Sequence, residues 1–162
     1  MIITSLMGGL GNQMFQYAAA KHLSIINNTE LKIDASHFKK LTSNQEHTLQ
    51  LTSFNISSCQ ASESEIWAII RPSNIFSRAA SMFNRSPLKS GSISIFREPD
   101  GSDFKPYFLE LKGDRYLIGY FNSFKYFDKI RDILLDEYQP KNEISIKGKE
   151  LIKVIDSTNS VS

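Results

Sequence analysis

The chain opens on an apolar run, Met1–Met7, that contains two isoleucines and lacks the alternation of a half-exposed strand. That pattern predicts a short strand buried on both faces, central in its sheet and parallel to its neighbour. Gly8, Gly9 and Gly11 interrupt the run, after which Phe15, Ala18, Ala19, Leu23 and Ile26 recur at helical spacing. Gln16, Lys21 and Ser24 fall elsewhere on the wheel, and Asn27-Asn28 ends the predicted helix. Leu31–Ile33 reads as a second strand running into Asp34. Strand, Gly-rich turn, helix and strand within about 35 residues have the size of a βαβ unit.

Beyond this unit the pattern weakens. Ala35 to Ser58 reads mostly as loop, with Leu49, Leu51, Phe54 and Ile56 able to supply core contacts. Glu63–Ile70 has helical periodicity, Pro72 breaks it, Ile75–Phe83 resumes it, and Ser86–Ser92 has the composition of a surface loop. Ile93–Phe96, Phe108–Leu111 and Tyr116–Tyr120 are strand candidates, with turn signals at Pro99-Asp100-Gly101 and Lys112-Gly113-Asp114. The last two of these strands are expected to pair as a hairpin. Ser123 stands as N-cap before Phe127, Ile130, Leu134 and Tyr138 at helical spacing, and Pro140 follows. A final helix is expected to carry Ile144, Leu151, Ile152 and Ile155 on one face.

Composition narrows the class. At 162 residues and 41% apolar content the chain is expected to form one α/β domain. Nineteen Lys and Arg oppose seventeen Asp and Glu, and the basic residues are scattered, so the stripe of a nucleic-acid binder is absent. The single cysteine, Cys59, allows no internal disulfide or zinc-type spacing, which suits a reducing compartment and predicts a buried or inert thiol. The N-terminal pattern is not that of a signal peptide and no apolar stretch has membrane-spanning length, so a cytoplasmic location is expected, with peripheral association at the inner membrane face left open.

The glycine loop is the strongest chemical signal. A helix N-terminus presents unpaired N–H groups and partial positive charge, and glycines in front of it let a ligand approach the backbone. Gly9-x-Gly11-x-x-Met14, with Asp34 about 20 residues beyond, has part of a dinucleotide fingerprint. Met14 stands where the third glycine belongs and opposes the close helix–strand contact that glycine allows. An NAD(P)-binding oxidoreductase domain is therefore an alternative reading, and a connecting turn that needs positive φ is another. The turn explains one or two glycines but not Asn12-Gln13.

The string GGLGNQMFQYAAAKHL at Gly8–Leu23 resembles the opening motif of the α-1,2-fucosyltransferases of glycosyltransferase family 11, and YLIGYFNSFKYF at Tyr116–Phe127 resembles that family's next hallmark. The resemblance implies a Rossmann-like parallel-sheet domain, the N-terminal half of a GT-B-type enzyme. It further implies transfer of L-fucose from GDP-fucose to the 2-hydroxyl of a galactoside, with inversion and without a required metal or cofactor. Gly8, Gly9, Gly11, Asn12 and Gln13 would then line the cleft between the halves, the amides facing sugar hydroxyls or a phosphate oxygen. The family commonly has Gln-Ser-Glu where this chain has Asn122-Ser123-Phe124, and it continues from a Ser-Val-Ser-like strand into His-x-Arg-Arg-Gly-Asp, held to bind the donor's diphosphate. The chain stops at Ser162, so residues 1–162 are expected to be an N-terminal domain without the donor-binding half, and inactive alone.

Other residues carry weaker chemistry. Tyr120, Asn122 and Lys125 follow a strand, where open α/β sheets place ligands, and Asp34 ends another, with helix capping as its ordinary role. Phe127 shares a helical face with Ile130 and Leu134, His22 reads as a packing residue, and His37 and His47 have no spaced partner for a metal. Asp128, Asp132 and Asp136 alternate with Lys129 and Arg131 as a solvated face. No residue identifies itself as the general base that an inverting transferase needs. A non-catalytic sugar-binding domain is the third reading. Gly9→Val and Gly11→Val are expected to impair ligand binding more than folding, by resisting positive φ and blocking backbone approach.

Overall fold

The computed structural model of the chain describes residues 1–39, 47–70, 94–99, 103–143 and 145–157. The helix expected at Ile75–Phe83, the loop at Ser86–Ser92, and Pro72, Ile93, Asp100, Gly101 and Ile144 lie outside them. In chain order the strands are β1 (Ile2–Ser5), β2 (Leu31–Asp34), β3 (Cys59–Gln60), β4 (Ile95–Arg97) and β5 (Arg115–Ile118). The helices are α1 (Leu10–Ile26), α2 (Ser36–Lys39), α3 (Glu63–Ile70), α4 (Arg131–Glu137) and α5 (Ile146–Ser157).

The strands form one sheet in the order β3-β2-β1-β5-β4, and every neighbouring pair is parallel. β1 is central, with Ile2 opposite Leu31 on one side and Arg115 on the other. Successive side chains of a strand point to opposite faces, so Ile2 and Ile3 must be buried by different layers. Ile2 and Leu6 pack with Tyr17, Ala18, Ala19, Ala20 and Leu23 of α1, whereas Ile3 packs with Ile69 of α3 and Tyr116 of β5. Helices thus cover both faces, giving a Rossmann-like α/β arrangement. The three consecutive alanines keep α1 slim where it lies on the sheet. Its end is set by Asn28, which takes φ +47°, a left-handed conformation that Asn tolerates. Asn27 donates its side-chain amide to the carbonyls of Leu23 and Leu111.

Three expectations from the pattern are corrected. Phe108–Leu111 is not a strand: Pro106–Glu110 forms a 3-10 helix, and no hairpin exists because β5 pairs in parallel with β1 and β4. Pro106 at the start of the turn favours helical dihedrals, and Phe108 is buried in a cluster of rings with Phe96, Phe121 and Tyr126. The helix expected from Ser123 begins only at Arg131, after 3-10 turns at Phe124–Tyr126 and Asp128–Ile130; Phe127, at φ −147°, interrupts it. Ser123 makes no side-chain capping bond. Ile130 and Leu134 are nonetheless buried, and Phe127 and Tyr138 are half-buried against the same core, so the apolar spacing marks burial before it marks a helix. Cys59 is exposed, not buried, because the two-residue β3 forms the sheet's edge.

α4 is tied to α1 by a buried polar network. Glu137 accepts hydrogen bonds from the Tyr17 hydroxyl at 2.7 Å, Lys21 Nζ at 2.6 Å and the Ser57 hydroxyl. Burial alone pushes the Glu137 carboxyl up, but its three donors outweigh that and hold it below the ordinary carboxylate value. A carboxylate depressed in the folded state stabilises at neutral pH and loses that contribution as protons bind. We expect the stability of the chain to fall as pH drops below 4.5, the ordinary value for Glu137, and the fall to be shallower in Glu137→Gln. Urea unfolding at stepped pH measures both slopes. Phe108→Ala, which empties the centre of the aromatic cluster, should cost about 3–5 kcal/mol in the same assay. Exposed Ile146→Ala should cost under about 0.5 kcal/mol.

Candidate functional site

Parallel strands put all their carboxyl ends on one edge of the sheet. β1 stands between β2 and β5, and the chain leaves it toward β2, so a crevice opens between the segments that follow β1 and β5. Gly8–Asn12 follows β1, Asp34 ends β2, Glu98 follows β4 and Gly119–Asn122 follows β5.

The first wall is the glycine loop. The positive φ belongs to Gly8, at +76°, while Gly9 is extended at φ −73° and N-caps α1, and Gly11 lies inside the helix. The expectation of positive φ at Gly9 or Gly11 is therefore corrected. A Cβ at Gly8 would stand 2.6 Å from Asn12 Nδ2, so the Asn12 amide lies over the bare glycine. At Gly11 a Cβ would meet no atom within 4 Å, and the first turn of α1 carries neither an acidic residue nor a side-chain cap. The start of the helix is open to solvent along its glycine side. Asn12 is half-buried and its amide has no hydrogen bond among the described residues.

Gln13 is different. It is 0% exposed. Its Nε2 donates to the carbonyls of Gly8 at 3.0 Å and Thr48 at 2.8 Å, and its Oε1 accepts from the amides of Gln50 at 3.0 Å and Leu51 at 3.1 Å. A primary amide has two donors and two acceptor lone pairs, and all four are used within the fold. Asp34, 4% exposed, is engaged in the same way: Oδ1 accepts from the Ser36 amide at 2.8 Å, and Oδ2 from the Tyr116 hydroxyl at 2.5 Å. Burial, and then the Asp34 carboxylate, push the Tyr116 hydroxyl up to about 12. Gln13 and Asp34, both expected to meet a ligand, thus shape the crevice with polar atoms that neighbouring groups already hold. Gln16 carries the loop from below, its Oε1 accepting from the Met7 amide at 3.0 Å.

The second wall is bent by strain. Phe121 has φ +52°, rare for a bulky side chain, and its ring is buried against Phe108 and Tyr126. Glu98 Oε2 accepts from the amides of Tyr120 at 2.8 Å and Phe121 at 2.7 Å, and any side chain at Gly119 would collide with Glu98. Tyr120, 45% exposed, and Asn122 are turned outward on either side of the fixed Phe121. Lys125 is exposed in the following turn, with no ion pair among the described residues. Glu98 was missed from sequence; its only local signal is its place directly after a strand.

His47, expected only to lack a partner for a metal, lies beside the loop. Its exposed ring lies against the glycine loop, with Cε1 and Nδ1 each 3.7 Å from the position of a Cβ on Gly9. Nothing local marks it, because the contact spans the whole βαβ unit. His22 is the packing residue expected, its Nδ1 2.6 Å from the carbonyl of Tyr126. Among the described residues no three His, Cys, Asp or Glu side chains gather as a metal centre would require, and no helix is long and apolar enough to cross a membrane. A separate cavity of about 400 Å³ opens at the opposite end of α1, lined by residues that include Lys21, Asn28, Ser57 and Cys59.

The chain is similar to the alpha-1,2-colitosyltransferase of Escherichia coli. The two are 32% identical over 164 residues, covering 99% of this chain and 52% of that protein. The chain therefore spans about half the length of the curated relative it matches. No protein-family profile and no solved structure matches the chain.

Gln13→Ala would leave two carbonyls and two amides of the loop junction without their partner, and we expect a loss of about 3 kcal/mol in urea unfolding, the upper range for an abandoned buried polar group. Asn12→Ala should change stability by less than about 0.5 kcal/mol. Gly8→Ala should cost about 1–2 kcal/mol through its left-handed φ.

Proposed function

We propose that this chain is the N-terminal α/β half of a GT-B-type, 1,2-linking glycosyltransferase that transfers L-fucose from GDP-fucose to the 2-hydroxyl of a galactoside with inversion. The observation that carries the reading is the similarity to the alpha-1,2-colitosyltransferase across 99% of the chain, with the Gly8–Leu23 motif at a sheet edge that suits ligands. Gly9 and Gly11 supply approachable backbone and Asn12 one uncommitted amide, with Gly8 making the turn beneath it; Tyr120 and Asn122 supply an exposed ring and a second amide across the crevice. Neutral donors and acceptors of this kind match sugar hydroxyls. Gln13 and Asp34 act by holding the loops.

A diphosphate leaving group needs stabilisation of developing negative charge, which is a large catalytic term. Among the described residues of the crevice, Arg97 and Lys125 are single exposed cations and form no cluster. The donor-binding half, with its cationic groups, is proposed to be supplied by sequence beyond this chain, whose matched relative is about twice as long. Transfer of a colitosyl group is the second reading, favoured by the activity named for that relative. The dinucleotide reading loses its support at Asp34, whose two oxygens already hold Ser36 and Tyr116.

Incubating the purified chain with GDP-fucose and a β-galactoside should give galactoside binding without sustained GDP release. A longer protein that continues this chain into a donor-binding half should give both GDP and a 2-linked product. Sustained turnover by the 162-residue chain overturns the half-enzyme reading, and NADH binding at one equivalent restores the dinucleotide one. If the longer protein accepts a colitosyl donor and rejects GDP-fucose, the second reading replaces the first.

A further inference from the structure

An inverting transfer needs a group that removes the proton of the attacking hydroxyl, and the crevice narrows the choice. Asp34 is buried with both oxygens occupied. Glu98 Oε2 accepts the amides of Tyr120 and Phe121, which commits that oxygen to the bent loop. The Tyr116 hydroxyl is buried and donates its hydrogen bond to Asp34. His37 sits on α2, beyond β2 and away from β5, edge-on to Phe38.

Among the described residues of the crevice His47 is the exposed imidazole, and its position is built. The residue next to it, Thr48, gives its carbonyl to Gln13 Nε2, and Gln13 Oε1 takes the amides of Gln50 and Leu51. The Gln13 amide thus fastens the segment that carries His47 to the first turn of α1. The ring is left exposed over Gly9, where the absence of a side chain opens the space between imidazole and backbone.

Resting on the glycosyltransferase reading, we propose that His47 is the general base for the acceptor hydroxyl and that Gln13 is its positioning residue. The hydroxyl O–H bond breaks and its proton passes to a ring nitrogen of His47. The oxygen electron pair forms the bond to the anomeric carbon of the donor. The bond from that carbon to the diphosphate breaks, its electron pair leaving with the nucleoside diphosphate. The imidazolium then releases its proton to water, restoring the base.

The chain has three histidines, which makes their ring resonances separable reporters. Titrating the chain with methyl β-galactoside should move the ring resonances of His47 and the backbone amide of Asn12, and leave buried His22 in place. The 2-deoxy analogue lacks the reacting hydroxyl; it should still move Asn12 and no longer move His47. Movement at Asn12 with His47 silent, or equal movement of His47 with both sugars, overturns the base while leaving the acceptor reading intact. No movement anywhere with either sugar removes the proposed acceptor itself, and the base with it. In the transferase that joins this chain to its donor-binding half, His47→Ala should lower kcat by about 10²–10⁴-fold with acceptor KM near wild type, and added imidazole should restore part of the rate. A loss confined to KM, or a rate that imidazole does not raise, overturns the proton role. Melting temperature of the variant separates either outcome from misfolding.

Discussion

One buried amide decides what the crevice can be. The chain must turn from a central strand into a helix within a few residues, and the turn it uses places Gly8 at φ +76°. The same junction must also hold the segment around Thr48–Leu51, which belongs to no strand. Gln13 meets both demands because it offers two donors and two acceptors from one rigid plane: Gly8 and Thr48 carbonyls on one side, Gln50 and Leu51 amides on the other. A carboxylate in its place would bring acceptors only, and a leucine would bring neither. The residue that looks most suited to a sugar therefore builds the wall, and the neighbouring Asn12 presents the usable amide.

The opposite wall follows the same logic with a carboxylate. Holding a bulky residue in the left-handed region costs roughly 1–2 kcal/mol, and here the cost is offset locally. Glu98 gathers the two amides that the bend turns inward, and the ring of Phe121 is buried against Phe96, Phe108 and Tyr126. Strain that a surrounding structure over-determines in this way tends to lie at ligand sites, and this instance lies across from the glycine loop. Each wall is thus a short irregular backbone fixed by one side chain. Asn12, Tyr120 and Asn122 project from rigid supports.

Local signals were legible where the period of the pattern and the cause of the structure coincide. Ile2 and Ile3 lacked alternation because β1 is covered on both faces, and the alanines of α1 followed 3.6-residue spacing because one side of that helix rests on the sheet. Phe108–Leu111 and Ser123 depart from the expected strand and helix because the aromatic rings there, those of Phe108 and Tyr126, are gathered by distant partners. The glycines mark the turn into α1, but which of them takes positive φ is visible only in the structure, at Gly8, over which the Asn12 amide lies. The roles of Gln13, Glu98 and His47 depend on contacts between segments far apart in the chain, and no window of sequence contains both ends of them.

The electrostatic character of the crevice is the physical basis of the proposed division of labour between two halves. Sugar hydroxyls are neutral and directional, and fixed amides, a phenol and a helix start recognise them at small desolvation cost. A diphosphate carries charge that such dipoles alone answer poorly; it calls for paired cations held at low dielectric. The described walls supply the first kind of group and not the second; of the carboxylates beside them, Asp34 accepts the Ser36 amide and the Tyr116 hydroxyl, and Glu98 Oε2 accepts two backbone amides. In the proposed transfer a free carboxylate pointing into the crevice would repel the leaving diphosphate. Asp34 and Glu98 Oε2 spend their charge on fixing the loops, and an imidazole base, as proposed, would add no negative charge beside the reaction.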